Sequence, residues 1–341
     1  MSYKIPKYSE NRALDIGKNN LEVLRTGKGK IKFTGCYINL SPICNFNCEG
    51  CFTHAKSRQK GRLNFKTIKG IVDFAKDRGA QSIIFAGAGE PTLDPDFEKI
   101  VSYIKKQKLQ TVLFTNLTIL TSEKQAREFL INGPVIVKLY TLDEQKYNKM
   151  TNFNKAFEYA MRGLCLLLEA RKKLEKQGKK TTLAIDSYIS EDNYLDLPDL
   201  LRFCRTNKII PYFEAFIELG QKKNIIDKLS LPEKSLAQLF LKLQKIDRDE
   251  FNIKTPINPW SRNYGQDVCQ KATHMFNVRE NGDVCMCICT LRKVGNILKV
   301  KDSSKKLGKI FNAKNKGLKN FFVCDKCSKL INPKYLKNCQ I

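Results

Sequence analysis

Long apolar runs are missing from this 341-residue chain. None approaches the roughly 20 residues a membrane-spanning helix needs, so no span is expected. The opening stretch, MSYKIPKYSENRALD, has no apolar core of the kind a secretory signal carries. Histidine is scarce, at two residues. Only His54 stands near the first cysteine group, three residues after a cysteine, where it makes an unconvincing fourth zinc ligand. Cysteine, in contrast, is plentiful, at thirteen residues. In a chain without a secretory start these argue for metal or redox chemistry in a reducing compartment, not a disulfide framework, and the cytoplasm is the expected location. The length suits one barrel and a small appended domain.

Acidic residues are outnumbered, 34 against 61 basic ones, for a formal net charge of +27. The excess is concentrated: from Arg292 to Lys337 there are fourteen basic residues against Asp302 and Asp325. Such a field draws anions and speeds their arrival. A solvated surface, an anionic small substrate and nucleic acid all fit it. Nucleic acid is the least favoured, because aromatic residues are sparse in that stretch.

Short β-branched runs at 82–86, 111–115, 135–139, 182–189 and 211–217 alternate with helical patterns at 65–77, 96–106, 122–131, 154–176 and 195–205. This order predicts parallel strands with right-handed crossovers. With a strand-like run at 38–42 there are six units where a closed barrel has eight. The fold class expected is α/β, a partial (β/α)6 TIM-like barrel, followed by a small cysteine-rich C-terminal β-hairpin domain. The divisions read as an extension at 1–30, the barrel at 31–220, a linker with one helix (232–245) at 221–262, and the cysteine-rich domain at 263–341.

The chemistry sits in SPICNFNCEGC, where Cys44, Cys48 and Cys51 follow the C-x3-C-x2-C spacing. Three thiolates on one short loop can hold three irons of a [4Fe–4S] cluster and leave the fourth open. Strand two ends in Gly87-Ala88-Gly89-Glu90-Pro91, strand three in Thr115-Asn116-Leu117 and strand four in Lys138-Leu139-Tyr140. All belong at the mouth of the barrel. On these residues the chain resembles the radical SAM superfamily over about residues 31–220.

The resemblance implies that the open iron binds S-adenosylmethionine and delivers an electron to it. The resulting 5′-deoxyadenosyl radical abstracts hydrogen from a substrate carbon. It implies cofactor contacts at Gly87, Gly89, Glu90, Pro91 and Asn116, and adenine stacking on Phe52. It also implies a low-potential electron donor such as flavodoxin or ferredoxin. Lys138 is a candidate partner for the cofactor carboxylate, although a lysine at a strand end is more often solvated; Asp186 and Ser187 are similarly placed. Three positions depart from the family pattern: Ala88 stands for the second glycine of GGEP, Leu117 for the glycine of TNG, and Gly50 for an aromatic residue before the third cysteine.

Near the C-terminus, Asn281-Gly282-Asp283-Val284 signals a tight hairpin that brings Cys269 and Cys287 onto neighbouring strands. With the local pair Cys324 and Cys327 these make a four-thiolate site. The segment resembles the auxiliary-cluster domains of the SPASM and twitch group, and its single-cluster twitch form implies a second [4Fe–4S] cluster. A zinc ribbon on the same four cysteines has the same spacing. Cys285, Cys287 and Cys289 alternate as if on one strand face, so Cys285 and Cys289 are read as spare ligands, core thiols or hydrogen-atom donors, with core thiols leading. Cys36, Cys165 and Cys204 are read as core thiols.

The expected function is hydrogen abstraction from a polar, anionic or sugar-like substrate, with net oxidation. Epimerisation through Cys285 or Cys289, or maturation of a ribosomally made peptide, are the alternatives. About thirty residues before the first strand leave little room for a leader-binding domain. RNA modification stands behind both.

Overall fold

The structure, a computed structural model, describes residues 10–51, 53, 61–215, 223–254, 271–288, 293–298, 302–312 and 314–315. After α1 (Glu10–Thr26) comes a series of strand–helix units: β1 (Gly35–Ile38), α2 (Phe65–Asp77), β2 (Ser82–Phe85), α3 (Phe97–Lys106), β3 (Gln110–Thr115), α4 (Glu123–Asn132), β4 (Val135–Lys138), α5 (Glu144–Thr151), α6 (Ala156–Lys176), β5 (Leu183–Ile189), α7 (Leu197–Thr206) and β6 (Ile210–Ala215). Then follow α8 (Lys223–Leu229), α9 (Glu233–Asp249), α10 (Lys271–His274), β7 (Met275–Val278), β8 (Asp283–Cys285), β9 (Lys293–Asn296) and α11 (Ser303–Ile310).

Among the described residues nine strands form one sheet in the order β6-β5-β4-β3-β2-β1-β7-β8-β9. From β6 to β7 every pairing is parallel, and β8 and β9 add antiparallel strands. Because β1 to β6 lie side by side in chain order, each crossover turns the same way and the sheet winds as a partial barrel. The helices start where their caps put them. Asn64, Ser122 and Asp143 accept from the backbone N–H groups of Thr67, Gln125 and Lys146 at the starts of α2, α4 and α5. In α2, the buried Ile68, Ile71, Val72 and Ala75 recur at helical spacing and seal the outer face of β1 and β2.

That outer core joins distant parts of the chain. Phe33, just before β1, has its ring 4.6 Å from Phe276 on β7 and 5.0 Å from Phe311 after α11. The inner face is covered only thinly, by Ile84, Ala86 and Val112 with Tyr37, Phe114, Ile136, Met275 and Ile288 against them.

Four expectations need adjusting. The strand before the cysteine loop ends at Ile38, not at 42. Residues 10–26 are a docked helix: Asn20 donates to the carbonyls of Lys32 and Thr273, 2.7 Å each, and ties α1 to the segment before β1 and to α10. Cys165 is exposed, whereas Cys36 and Cys204 are buried. Finally, the hairpin forms at Asn281-Gly282, but β8 stops at Cys285 with an irregularity between Val284 and Cys285. Because the strand ends at Cys285, the alternation on which the one-face reading of Cys285 and Cys287 relied does not run on to Cys287, and Cys285 and Met286 are both buried.

Arg205 on α7 donates to both carboxylate oxygens of Asp247 on α9, 2.7 Å each, with Asp247 fully buried. Removing one member strands the other charge in the core. Asp247→Ala is expected to lose about 3–5 kcal/mol of stability by urea unfolding. An unchanged midpoint would show that the pair contributes nothing.

Candidate active site

The cysteine loop leaves the C-terminal end of β1 and is held from several sides. Its Ile43 carbonyl accepts from the backbone N–H of Glu90 at 2.8 Å. A Cβ on Gly89 would stand 2.0 Å from that same oxygen, so only glycine permits the approach. Asn47 and Glu49 donate their N–H groups to the carbonyls of Thr151 and Met150, 3.0 and 3.2 Å away, at the end of α5. Asn116 Nδ2 donates to Asn45 Oδ1 at 2.9 Å. Thr53 Oγ1 donates to the Ala88 carbonyl at 3.2 Å and lies 3.3 Å from Cys51 Sγ. Lys228 on α8 reaches across to Glu49 at 2.7 Å. The ends of β2 and β3, the end of α5 and α8 thus all meet on one short loop.

Glu90 organises the clasp. Its Oε1 accepts from Thr92 Oγ1 at 2.6 Å, Thr115 Oγ1 at 2.7 Å and the Thr92 N–H at 3.3 Å, and its Oε2 from the Asn116 N–H at 2.8 Å. Burial pushes this carboxyl up from the usual range, against the hydrogen bonds that hold it down. The carboxylate ties the second and third loops together and is not a free group at the mouth. Pro91 follows as the first residue of a 3-10 turn capped by Glu90.

Two of the departures from glycine keep the glycine conformation. Gly87 has φ 114°, Ala88 φ 65° and Leu117 φ 61°. A left-handed side-chain residue costs about 1–2 kcal/mol. Leu117 offsets this by complete burial against α6, where a Cβ on Gly163 would come within 2.7 Å of the Leu117 Cβ. Leu117→Gly is expected to lower stability by about 1–3 kcal/mol in denaturant unfolding, since lost packing exceeds relieved strain. A gain in stability would reverse that ranking.

Opposite the clasp, three tyrosines line the thiols. Tyr140, after β4, has its ring 5.6 Å from Tyr147 and 4.6 Å from Tyr188 on β5. Burial pushes all three phenols well up, and the neighbouring Cys48 thiol adds to it in each case. They are neutral at ordinary pH. Cys48 itself is pushed up by burial, then by the Cys51 and Cys44 thiols, with Lys138 acting the other way. The three thiols therefore share one electrostatic neighbourhood. Among the described residues no three His, Cys, Asp or Glu side chains converge on a single metal-ion position. A multi-iron cluster takes thiolates set further apart, and an all-thiolate donor set on one loop suits iron and sulfide.

Lys138 is bound to Asp186 on the neighbouring strand and lies 5.2 Å from the Phe114 ring. Its ammonium pairs with the Asp186 carboxylate. Ser187 is fully buried, and its hydroxyl goes to the carbonyls of Tyr140 and Tyr188, 3.4 and 3.3 Å away. It faces away from the mouth, because Asp186 and Tyr188 take the inner side of β5. Cys285 lies opposite Asn277, which in turn lies opposite Tyr37, so this thiol shares a row with the inner face. Burial pushes it up to about 11, which keeps it a thiol. Phe52, Cys269, Cys289, Cys324 and Cys327 lie outside the described residues.

Sequence reasoning missed Asn45, Thr53 and Tyr188, the role of Tyr140, and the buried oxygens Asn39 Oδ1, Ser41 Oγ and Asn277 Oδ1, which have no hydrogen-bond partner among the described residues. Position at strand ends was the available signal for Tyr140 and Tyr188. Among the described residues no helix is long and apolar enough to cross a membrane.

Residues 38–192 match the Radical SAM superfamily. A tungsten-containing aldehyde ferredoxin oxidoreductase cofactor-modifying protein of Pyrococcus furiosus is 27% identical over 176 residues, 49% of this chain and 47% of the relative. A probable GTP 3′,8-cyclase of Methanococcus maripaludis is 30% identical over 192 residues, 53% of this chain and 59% of the relative. The matched segments thus span only about half of these curated relatives. The crystal structure of Streptococcus suis SuiB bound to S-adenosylmethionine superposes with a TM-score of 0.61 at 18% identity, covering 88% of this chain and 68% of that one. SuiB has also been crystallised on its precursor peptide SuiA, a structure that matches at TM-score 0.60 and 18% identity over 80% of this chain and 63% of that one. The superfamily uses a [4Fe–4S] cluster and S-adenosylmethionine, and with this motif order on this barrel residues 38–192 are a radical SAM domain.

Proposed function

We propose that the chain is a radical SAM enzyme acting on a polar, anionic small molecule, of the nucleotide or sugar type, with net oxidation. Cys44, Cys48 and Cys51 would hold the cluster, and the loops of Gly87–Pro91 and Asn116 would shape the cofactor site beside it. The observation that carries this is the contact of the Gly89–Glu90 backbone with the Ile43 carbonyl, which brings the second loop against the thiolate loop. When bound, the cluster and S-adenosylmethionine supply reductive cleavage and hydrogen-atom abstraction. The chain's own residues hold the loops, bury the site and present the inner face to substrate. That face is apolar at Ile84 and Val112 and polar at Asn277, whose oxygen has no partner among the described residues and would suit a substrate donor.

The net charge of +27 favours an anionic substrate, and the GTP cyclase relatives support a nucleotide. A second cluster on Cys269, Cys287, Cys324 and Cys327 would accept the substrate electron, which makes oxidation the outcome needing fewest further groups. Electrons for cleavage would come from a low-potential flavodoxin or ferredoxin. The second reading is a peptide-maturing enzyme, supported by the fold shared with SuiB, which was crystallised bound to its precursor peptide. The test is anaerobic turnover with dithionite and S-adenosylmethionine, following 5′-deoxyadenosine. Formation that rises with GTP-type nucleotides and not with peptides supports the first reading. The opposite pattern supports the second, and no 5′-deoxyadenosine at all refutes both.

A further inference from the structure

Behind the thiol loop, the phenol of Tyr140 lies within donor reach of a sulfur. Its hydroxyl is 4.0 Å from Cys48 Sγ, a long contact of the kind that large, diffuse sulfur acceptors take. The ring is buried, and its backbone carbonyl is fixed by Asn193 Nδ2 at 2.9 Å. The neighbouring Tyr147 hydroxyl is committed elsewhere, donating to the Lys138 carbonyl at 2.6 Å. The loop reaches this depth through Gly50. A Cβ there would stand 2.7 Å from Cζ of Tyr188, the ring that packs on Tyr140. One observation explains where a donor is aimed, and the other explains why the loop carries glycine where it touches the tyrosine wall.

We infer that Tyr140 is a positioning residue that donates a hydrogen bond to the Cys48 sulfur and raises the reduction potential of the cluster held there, with Gly50 setting the loop height that allows it. A donor to a ligand sulfur withdraws charge from the thiolate and favours the reduced, more negative state. A cluster that is easier to reduce needs a less extreme electron donor. The inference rests on the reading that Cys44, Cys48 and Cys51 hold the mouth cluster.

The experiment is redox potentiometry on anaerobically reconstituted full-length protein. The mouth cluster is identified as the electron paramagnetic resonance signal that changes on adding S-adenosylmethionine. Tyr140→Phe keeps the ring and removes the donor, so it should retain full iron and show a more negative midpoint potential. Tyr147→Phe, which also loses a buried phenol hydroxyl, should leave the potential where it was. Gly50→Ala should push the loop off Tyr188 and shift the potential in the same direction as Tyr140→Phe. Wild-type potential in Tyr140→Phe with iron retained, or equal shifts in Tyr140→Phe and Tyr147→Phe, would overturn the role of Tyr140. Absence of iron from the wild-type protein would instead defeat the underlying cluster assignment.

Discussion

Protein with Cys44, Cys48 and Cys51 all replaced by alanine is expected to retain about four irons, against about eight in the wild type, one cubane being lost with its three thiolates. It should form no 5′-deoxyadenosine. The loop's attachments are mostly backbone or non-cysteine contacts: Asn47 and Glu49 to the end of α5, Asn45 to Asn116, Glu90 to Ile43. The variant should therefore fold, and circular dichroism should match wild type. Loss of all iron would mean that the two thiolate sets do not assemble independently. Retention of about eight would remove the loop from the account. Zinc in place of the remaining four irons would replace the second cluster with a zinc ribbon.

Glu90→Ala is the second large effect. Four donors now converge on this buried carboxylate from Thr92, Thr115 and Asn116. Truncation leaves them facing a void, and each buried donor left unsatisfied costs about 1–3 kcal/mol. The loop after β3 loses its tie to the loop after β2, and with it the support that Asn116 gives Asn45. S-adenosylmethionine binding should weaken at least tenfold by equilibrium dialysis while iron content stays near wild type. Glu90→Gln, which keeps one carbonyl acceptor and the shape, should fall between the two. Wild-type affinity in Glu90→Ala would show that the cofactor site does not depend on the clasp.

The barrel was legible because its signals are local and repeated. The β-branched runs and capped amphipathic stretches place five strands within one or two residues of β2 to β6, and the parallel order follows from their alternation with helices. Among the described residues five helices, α1, α5, α8, α10 and α11, were not read from the sequence, and α1 and α5 show why. α1 carries Gly17, Asn19 and Asn20 in its middle, and its docking depends on contacts with Lys32 and Thr273 far along the chain. α5 is short and polar, and it is defined by its Asp143 cap and by Asn152 in the left-handed conformation. The pairing of β7 with β1 was equally hidden, since it joins residues some 240 positions apart.

In the site, the motif loops were visible and their wiring was not. The string Gly-Ala-Gly-Glu-Pro marks a turn at a strand end, but the direction of the Glu90 side chain depends on Thr115 and Asn116, which the fold delivers from the next strand. Lys138 reads as an available cation until β5 places Asp186 beside it. Gly50 reads as a missing aromatic until Tyr188 is found packed against it. Non-local register decides each of these cases, and a linear pattern does not contain it.

The most direct test is the electron paramagnetic resonance spectrum of the reduced, anaerobically reconstituted wild-type protein, recorded with and without S-adenosylmethionine alongside iron and sulfide analysis. The account predicts about eight irons and eight sulfides and one cluster signal that changes when the cofactor is added. Iron–sulfur signals that S-adenosylmethionine leaves untouched, or protein that takes up zinc and no iron at Cys44, Cys48 and Cys51, would contradict it.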